Sequence, residues 1–259
     1  MKIAIVVAAL AGLIVPMSTT GTAASAAPID TPPAATAAPA TTPTGPMLVA
    51  RWDFNAGAVG GRVTDTSGHG GPTLSARGAD QGALRYLDGP TGKYVAFPDL
   101  CAAGASCPRA LLEAPNSVNL NPGVRPFRWA ASVHVVKTQV RGSANIMQKG
   151  TSATGSQWKL QIGQKAGKAQ CVVIGVGSPA VYLAHSSAPV TDGAWHKISC
   201  LRSGTTLSIS VDGVQQGTTT IPATLTITNA MPLRIGGPNF NTSSDMYHGA
   251  LDDVYAELG

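Results

Sequence analysis

Between Trp195 and Gly213 the chain alternates apolar and polar residues twice over, with a tight turn in the middle. His196, Ile198 and Cys200 share one face of the first run, and Leu207, Ile209 and Val211 share one face of the second. Period-two alternation of this kind marks strands with one buried face, and Ser203-Gly204 supplies the positive φ that the turn needs. Asp212-Gly213 then reverses the chain again. A hairpin feeding a further strand is therefore the expectation for 195–213.

Similar runs recur every ten or so residues: 48–54, 84–87, 94–97, 127–136, 145–149, 158–162, 171–174, 181–184, 233–235 and 251–258. Turn-forming clusters separate them, among them Asp65-Thr66-Ser67-Gly68, Asp88-Gly89-Pro90, Asn121-Pro122-Gly123 and Gly236-Gly237-Pro238. Helical periodicity is nearly absent, its one candidate being a short turn around 108–113. Many strands with evenly spaced turn signals predict an all-β sandwich, without internal repeat or second domain.

The ends read differently. Lys2, an apolar stretch over 3–15 broken only by Gly12, and the small-x-small Ala24-Ser25-Ala26 predict a signal peptide over 1–26. The apolar run is shorter than the roughly 20 residues of a membrane span, so no membrane insertion is expected after cleavage. Residues 27–46 are almost wholly Pro, Ala and Thr with Asp30 the only charge, a composition that cannot offset its backbone entropy and predicts a disordered linker. Surface tethers and processed pro-segments both read this way. The folded domain is expected over 47–259, in a protein that is secreted, extracellular or held at the cell surface. Setting aside Lys2 and Asp30 from the 18 basic and 13 acidic residues leaves 17 against 12, scattered singly rather than clustered. That distribution argues against a nucleic-acid partner.

Four cysteines in an exported chain imply two disulfides, with three possible pairings. Cys101 and Cys107 flank a loop of small residues, so Cys101–Cys107 staples that loop. Cys171 and Cys200 both fall among inward-facing apolar neighbours, and Cys171–Cys200 is expected to join adjacent strands inside the core.

Several segments carry a family likeness. Ala50-Arg51-Trp52-Asp53-Phe54 with Asp65-Thr66-Ser67-Gly68-His69-Gly70, then 83–89 with 93–97, the 195–213 hairpin, Leu233-Arg234-Ile235-Gly236-Gly237 and 247–255 follow one another in order. The chain resembles a laminin-G-like domain of the concanavalin A-like lectin/glucanase superfamily. The resemblance implies a two-sheet antiparallel jelly-roll sandwich and a secreted binding module for an extracellular glycan or surface protein. A divergent glycoside hydrolase, or a structural surface protein without a specific ligand, are the alternatives.

The glucanase relatives set catalytic carboxylates on one strand as Glu-x-Asp-x-x-Glu, and a retaining glycosidase needs its pair about 5 Å apart. This chain has only Glu113 and Glu257 and no Glu-x-Asp, while Asp252 and Asp253, being adjacent on a strand, are expected to face opposite ways. No catalytic residue is therefore expected, and the domain reads as a non-enzyme. His196 reads as a hydrogen-bonded core residue. The resemblance further implies a structural Ca²⁺, with Asp252 from the last strand and Asp53 or Asn55 from the first, completed by carbonyls near Gly92-Lys93. Asp65 reads as the cap of its own turn. Trp129 and Trp158 share faces with aliphatic neighbours and read as core, and Trp195 is expected to pack under a loop. Phe240 and Tyr247 bracket a polar loop containing Asp245, and these three are the candidate ligand-binding residues.

Overall fold

A computed structural model describes residues 45–102, 107–163, 166–241 and 243–259. The expected signal peptide, and all of the linker but its last two residues, lie outside the described residues. In chain order the strands are β1 (Met47–Trp52), β2 (Arg62–Val63), β3 (Leu74–Ala79), β4 (Arg85–Gly89), β5 (Gly92–Ala96), β6 (Arg109–Ala114), β7 (Phe127–Val136) and β8 (Ala144–Thr151). They continue as β9 (Ser156–Ile162), β10 (Lys168–Ile174), β11 (Tyr182–Pro189), β12 (Asp192–Ser203), β13 (Thr206–Val211), β14 (Val214–Thr220), β15 (Leu233–Ile235) and β16 (Ala250–Leu258). Two eight-stranded antiparallel sheets result. The first runs β14-β13-β12-β7-β16-β5-β4 with β1 also on β16, and the second runs β11-β10-β9-β8-β15-β6-β3-β2. No helix among the described residues is long and apolar enough to cross a membrane.

The hairpin forms as its alternation requires. Ile198 pairs with Val211 and Arg202 with Leu207, and Gly204 takes φ +53 in the turn. Asp212 and Gly213 both adopt positive φ, the pairing that turns β13 into β14 with the right twist. The segment 108–113 is not helical. Arg109–Ala114 is a central strand between β15 and β3, and its Ala-Leu-Leu run is buried, so the period-two signal is lost.

The inward faces meet in one core. Phe127 and Trp129 of β7 stack at 5.6 Å, and Trp158 of β9 in the opposite sheet meets Phe127 edge-on at 5.2 Å. Trp129 and Trp158 are fully buried, as their strand faces imply. Both disulfides form as paired in the sequence. Cys171 and Cys200 do not lie on adjacent strands, however: β10 belongs to the second sheet and β12 to the first, so the bridge crosses the sandwich. Both side chains are buried on inward faces, so the bridge ties the two facing sheets together.

Two buried cations close the same end of the core. Lys149 donates to Asn121 Oδ1 at 2.8 Å, Asn229 O at 2.7 Å and Asn229 Oδ1 at 3.0 Å, and burial pushes its amine down to about 8. Arg202 donates to the carbonyls of Arg125 at 3.0 Å and of Ala223 and Leu225 at 3.1 Å each.

Candidate functional site

Irregular strand positions gather at one end of the first sheet. On β16 the register against β7 shifts between Asp252 and Tyr255, and Asp253 takes φ +44. This bulge overturns the expectation that Asp252 and Asp253 point to opposite faces. Asp252 pairs across from Ser132, while the Asp253 carboxylate reaches Arg51 at 2.7 Å and Lys197 at 3.3 Å, with Lys197 also across from Ser132. Both acids therefore lie on the outer side, an extra residue having reset the alternation. A second shift on β12, between Asp192 and Trp195, sets Trp195 opposite His134 on the outer side. His196, opposite the buried Val133, stays on the Ile198 face at the strand's end and turns its ring to Asp192 and Asp212.

Between these bulges and the β4–β5 turn opens a cleft of about 310 Å³. Thr91, Tyr94, Trp195, His196, Asp212 and Asp252 are among the residues that line it. Tyr94 meets Trp195 edge-on at 5.4 Å, and His134 lies 5.4 Å from the same indole. Gly89 is needed here, since a Cβ would come within 2.9 Å of the Tyr94 ring. Trp195 does not pack under a loop; it forms a half-buried cleft wall.

His196 is hydrogen-bonded, as expected, but at the cleft rather than in the core. Its Nδ1 lies 2.8 Å from Asp212 Oδ2 and its Nε2 3.1 Å from Asp192 Oδ1. Burial disfavours the imidazolium, yet the two carboxylates outweigh it and raise the pKa above the usual histidine value. Asp212 also accepts the Lys197 amide at 2.8 Å, so both its oxygens are engaged. At Asp252, burial raises the carboxyl pKa, and the charges of Asp253 and Asp53 add to it against the hydrogen bonds from the Asp253 amide and Thr91.

Of the residues expected to hold a metal, Asp252 lines this cleft and Asp53 lies near it. Asp53 lies close enough to Asp252 to influence its titration, and Thr91 donates to Asp252 Oδ2 at 3.4 Å. Neither Asp53 nor Asp252 has a Lys or Arg within 4.0 Å among the described residues. Two unpaired carboxylates beside a hydroxyl are the hard oxygen donors that Ca²⁺ takes, and a cation there would relieve their mutual repulsion. Asn55 is differently employed: its Oδ1 accepts the Lys93 amide at 2.9 Å, and a Cβ on Gly92 would fall 1.8 Å from that oxygen. It pins the β4–β5 turn beside the acids. Among the described residues no cluster of three or more His, Cys, Asp or Glu is arranged for a metal, so carbonyls would supply most of the donors. Asp65 caps its own turn, accepting the Ser67 and Gly71 amides and also that of Arg51.

The three candidate ligand residues near 240–247 do not form one surface. Tyr247 is fully buried, packs edge-on to Phe97 at 5.6 Å, and donates to the carbonyls of His134 and Ala250. It is a core residue, because the chain re-enters the sandwich directly after the polar loop. Asp245 lines a separate cleft and lies 3.6 Å from Lys159 Nζ, while the Phe240 carbonyl accepts a hydrogen bond from Arg109. Glu113 and Glu257 stand on different sheets, paired with Arg234 at 2.9 Å and Arg128 at 3.0 Å. The aromatic pair Tyr94 and Trp195 was not singled out in the sequence, where 101 positions separate the two although each opens a strand-like run.

The chain shares its fold with domain 4 of AbnA, a GH43 extracellular arabinanase from Geobacillus stearothermophilus, solved with arabinotriose. The TM-score is 0.62 at 14% identity, over 83% of this chain and 93% of that one. The binding domain of botulinum neurotoxin DC in complex with SialylT aligns with TM-score 0.58 at 11% identity, over 81% of this chain and 47% of that one. The binding domain of Paraclostridial Mosquitocidal Protein 1 gives 0.59 at 12%, over 81% and 48%. This chain thus spans about half the length of the toxin binding domains. At these identities the likeness is one of fold. No curated protein sequence matches the chain. A laminin-G family model matches residues 121–256, just over half of the chain. Its strands span both facing sheets and the last-strand bulge, and the chain accordingly belongs to the concanavalin A-like lectin/glucanases superfamily.

Proposed function

We propose that this is a secreted, non-catalytic module that binds an extracellular glycan in the cleft beside Trp195. The observation that carries the reading is the aromatic pair Tyr94–Trp195, packed edge-on at an interplanar angle of 69° next to the hydrogen-bonding groups of His196, Asp212 and Asp252. Sugar rings present apolar C–H faces and hydroxyl edges, and an aromatic wall with polar groups beside it matches both. The similar folds lend support: one was solved with arabinotriose, and for another, from botulinum neurotoxin type C, cell entry is dependent upon interaction with two ganglioside molecules. Two disulfides are compatible with an extracellular setting.

Trp195→Ala should weaken binding by about tenfold or more, some 1.4 kcal/mol, in a glycan array followed by titration with the best hit, without moving the melting temperature by more than about 2 °C. Undiminished affinity in that variant would remove the cleft from the proposal. Incubation with the bound glycan should leave it uncut. Release of reducing ends would instead assign a hydrolase, with Asp252, whose proton affinity burial has raised, as its acid.

The same reading places Ca²⁺ at Asp53 and Asp252. EDTA should lower the melting temperature by about 5 °C, restored by added Ca²⁺, and Asp252→Ala should abolish the difference. Superimposable melting curves with and without chelator would delete the ion from this account.

A further inference from the structure

We infer that a second cleft, formed by Arg141, Arg109, His248 and the 243–246 loop, takes the carboxylate or sulfate group of an acidic polysaccharide. The inference rests on the reading of the domain as a glycan-binding module and adds a site and a ligand class to it. This cleft of about 290 Å³ is lined by Arg109 from the start of β6, by Arg141 and Gly142 before β8, and by residues 243–246 and His248 before β16. None of these residues lines the Trp195 cleft.

One guanidinium, that of Arg141, lines the cleft without a matching carboxylate among the described residues. Arg141 is exposed, is aimed by one hydrogen bond from Nη2 to the Cys101 carbonyl at 3.0 Å, and has no carboxylate within 4.0 Å among the described residues. Arg109 is held at both ends of its fork, to Asp80 and to the Phe240 carbonyl, which leaves its buried Nε–H without a partner. His248 is 7% exposed, and its Nδ1 lies 2.8 Å from the Pro98 carbonyl. A carbonyl can only accept, so Nδ1 carries the proton and Nε2 is the nitrogen left for other company.

The charges facing this histidine are of both signs. Burial lowers its pKa first, the Arg141 charge lowers it further, and the Pro98 hydrogen bond and Asp99 oppose them. Asp245 also lines the cleft, but Lys159 at 3.6 Å offsets it, and Asp80 is answered by Arg109. Among the described residues Arg141 is thus the cation of the cleft with no ion-pair partner. A planar guanidinium suits the two coplanar oxygens of a carboxylate or two of a sulfate, and Ser243 supplies a hydroxyl beside it. A bound anion would cancel the effect of Arg141 on His248 and raise its pKa. The basic residues elsewhere are scattered, so a single anionic group on a hydroxyl-rich polymer suits the surface better than a run of phosphates.

The test titrates the secreted domain with polygalacturonate, dextran sulfate, inorganic sulfate and neutral dextran, while His248 is followed by NMR. The expected result is salt-sensitive binding of at least one acidic polymer, weakened about tenfold or more in Arg141→Gln, with the His248 pKa rising by about half a unit or more on binding in the wild type only. Arg141 is exposed, so the variant should melt with the wild type. No binding of either acidic polymer, or binding that Arg141→Gln leaves intact, overturns the inference. Inorganic sulfate binding as tightly as the polymers also overturns it, in favour of a free-anion site. Loss of acidic-polymer binding in Trp195→Ala but not in Arg141→Gln would move recognition to the first cleft, sinking this inference while keeping the glycan-binding function. Failure of every glycan, neutral or acidic, would sink both.

Discussion

Replacing Cys171 and Cys200 together by alanine is expected to destabilise the domain by about 3–4 kcal/mol. The bridge closes a loop with a sequence separation of 29, and the chain-entropy model gives a loss of that size for the denatured ensemble it constrains. Both residues are fully buried, so truncation also removes packed sulfur from the interior and adds to the effect. The Cys101–Cys107 bridge spans only 6 positions, and its removal should cost about 2 kcal/mol at most on the same model. The measurement is urea unfolding of the two double variants. The core pair should show the larger drop in midpoint and a steeper slope, since an uncrosslinked chain exposes more surface on unfolding. A loss below about 1 kcal/mol for the core pair would mean that the aromatic contacts from Phe127 and Trp129 to Trp158 alone hold the sheets in register.

The sequence was most informative where one strand face is buried and the other wet. That is why the β12–β13 hairpin, β7 and β16 could be read from alternation, and why Trp129 and Trp158 could be placed inside. Strands without that contrast were missed. In β6 most residues are buried, so Arg109-Ala110-Leu111-Leu112 looks helical by run length. In β14 the edge strand Val-Gln-Gln-Gly-Thr-Thr-Thr has hardly any buried face to give it a period.

The site was harder to read for a related reason. A bulge inserts one residue and flips every following side chain, and nothing in Leu251-Asp252-Asp253-Val254 marks where the flip occurs. The cleft depends on two such shifts, on β12 and β16, and on a glycine-bearing turn more than 90 residues earlier in the chain. Asp53 and Asp252 lie near each other because β1, which Asp53 directly follows, pairs with β16. Tyr94 and Trp195 meet only through the order of strands in the sheet, which local sequence does not specify. Tyr247 failed as a surface candidate because a polar loop says nothing about the residue that follows it back into the core.

Arg202→Met is expected to destabilise by about 3–5 kcal/mol, the cost associated with leaving buried polar groups without partners. Arg202 points from β12 into the interior beside Leu207 and Phe127, and is fully buried. Burial lowers its pKa, but a guanidinium keeps its proton inside proteins, so the charge has to be met by dipoles. Those dipoles are the carbonyls of Arg125, Ala223 and Leu225, and no carboxylate pairs with it among the described residues. A buried ion pair can be replaced by apolar residues when both partners go at once; here the partners are backbone, which no substitution removes. Methionine fills much of the volume but leaves three carbonyls without their donor, that of Leu225 buried and those of Arg125 and Ala223 part-buried. The segment 222–225 should then detach locally, since two of the three bonds hold it, and hydrogen exchange at the buried Leu225 and Ile227 amides should accelerate more than at β7. Arg202→Lys should recover part of the loss, because one ammonium cannot reach all three oxygens that the fork spans. A methionine variant as stable as the wild type, with unchanged exchange at Leu225, would mean that water enters to satisfy the carbonyls and that packing alone closes this end of the sandwich.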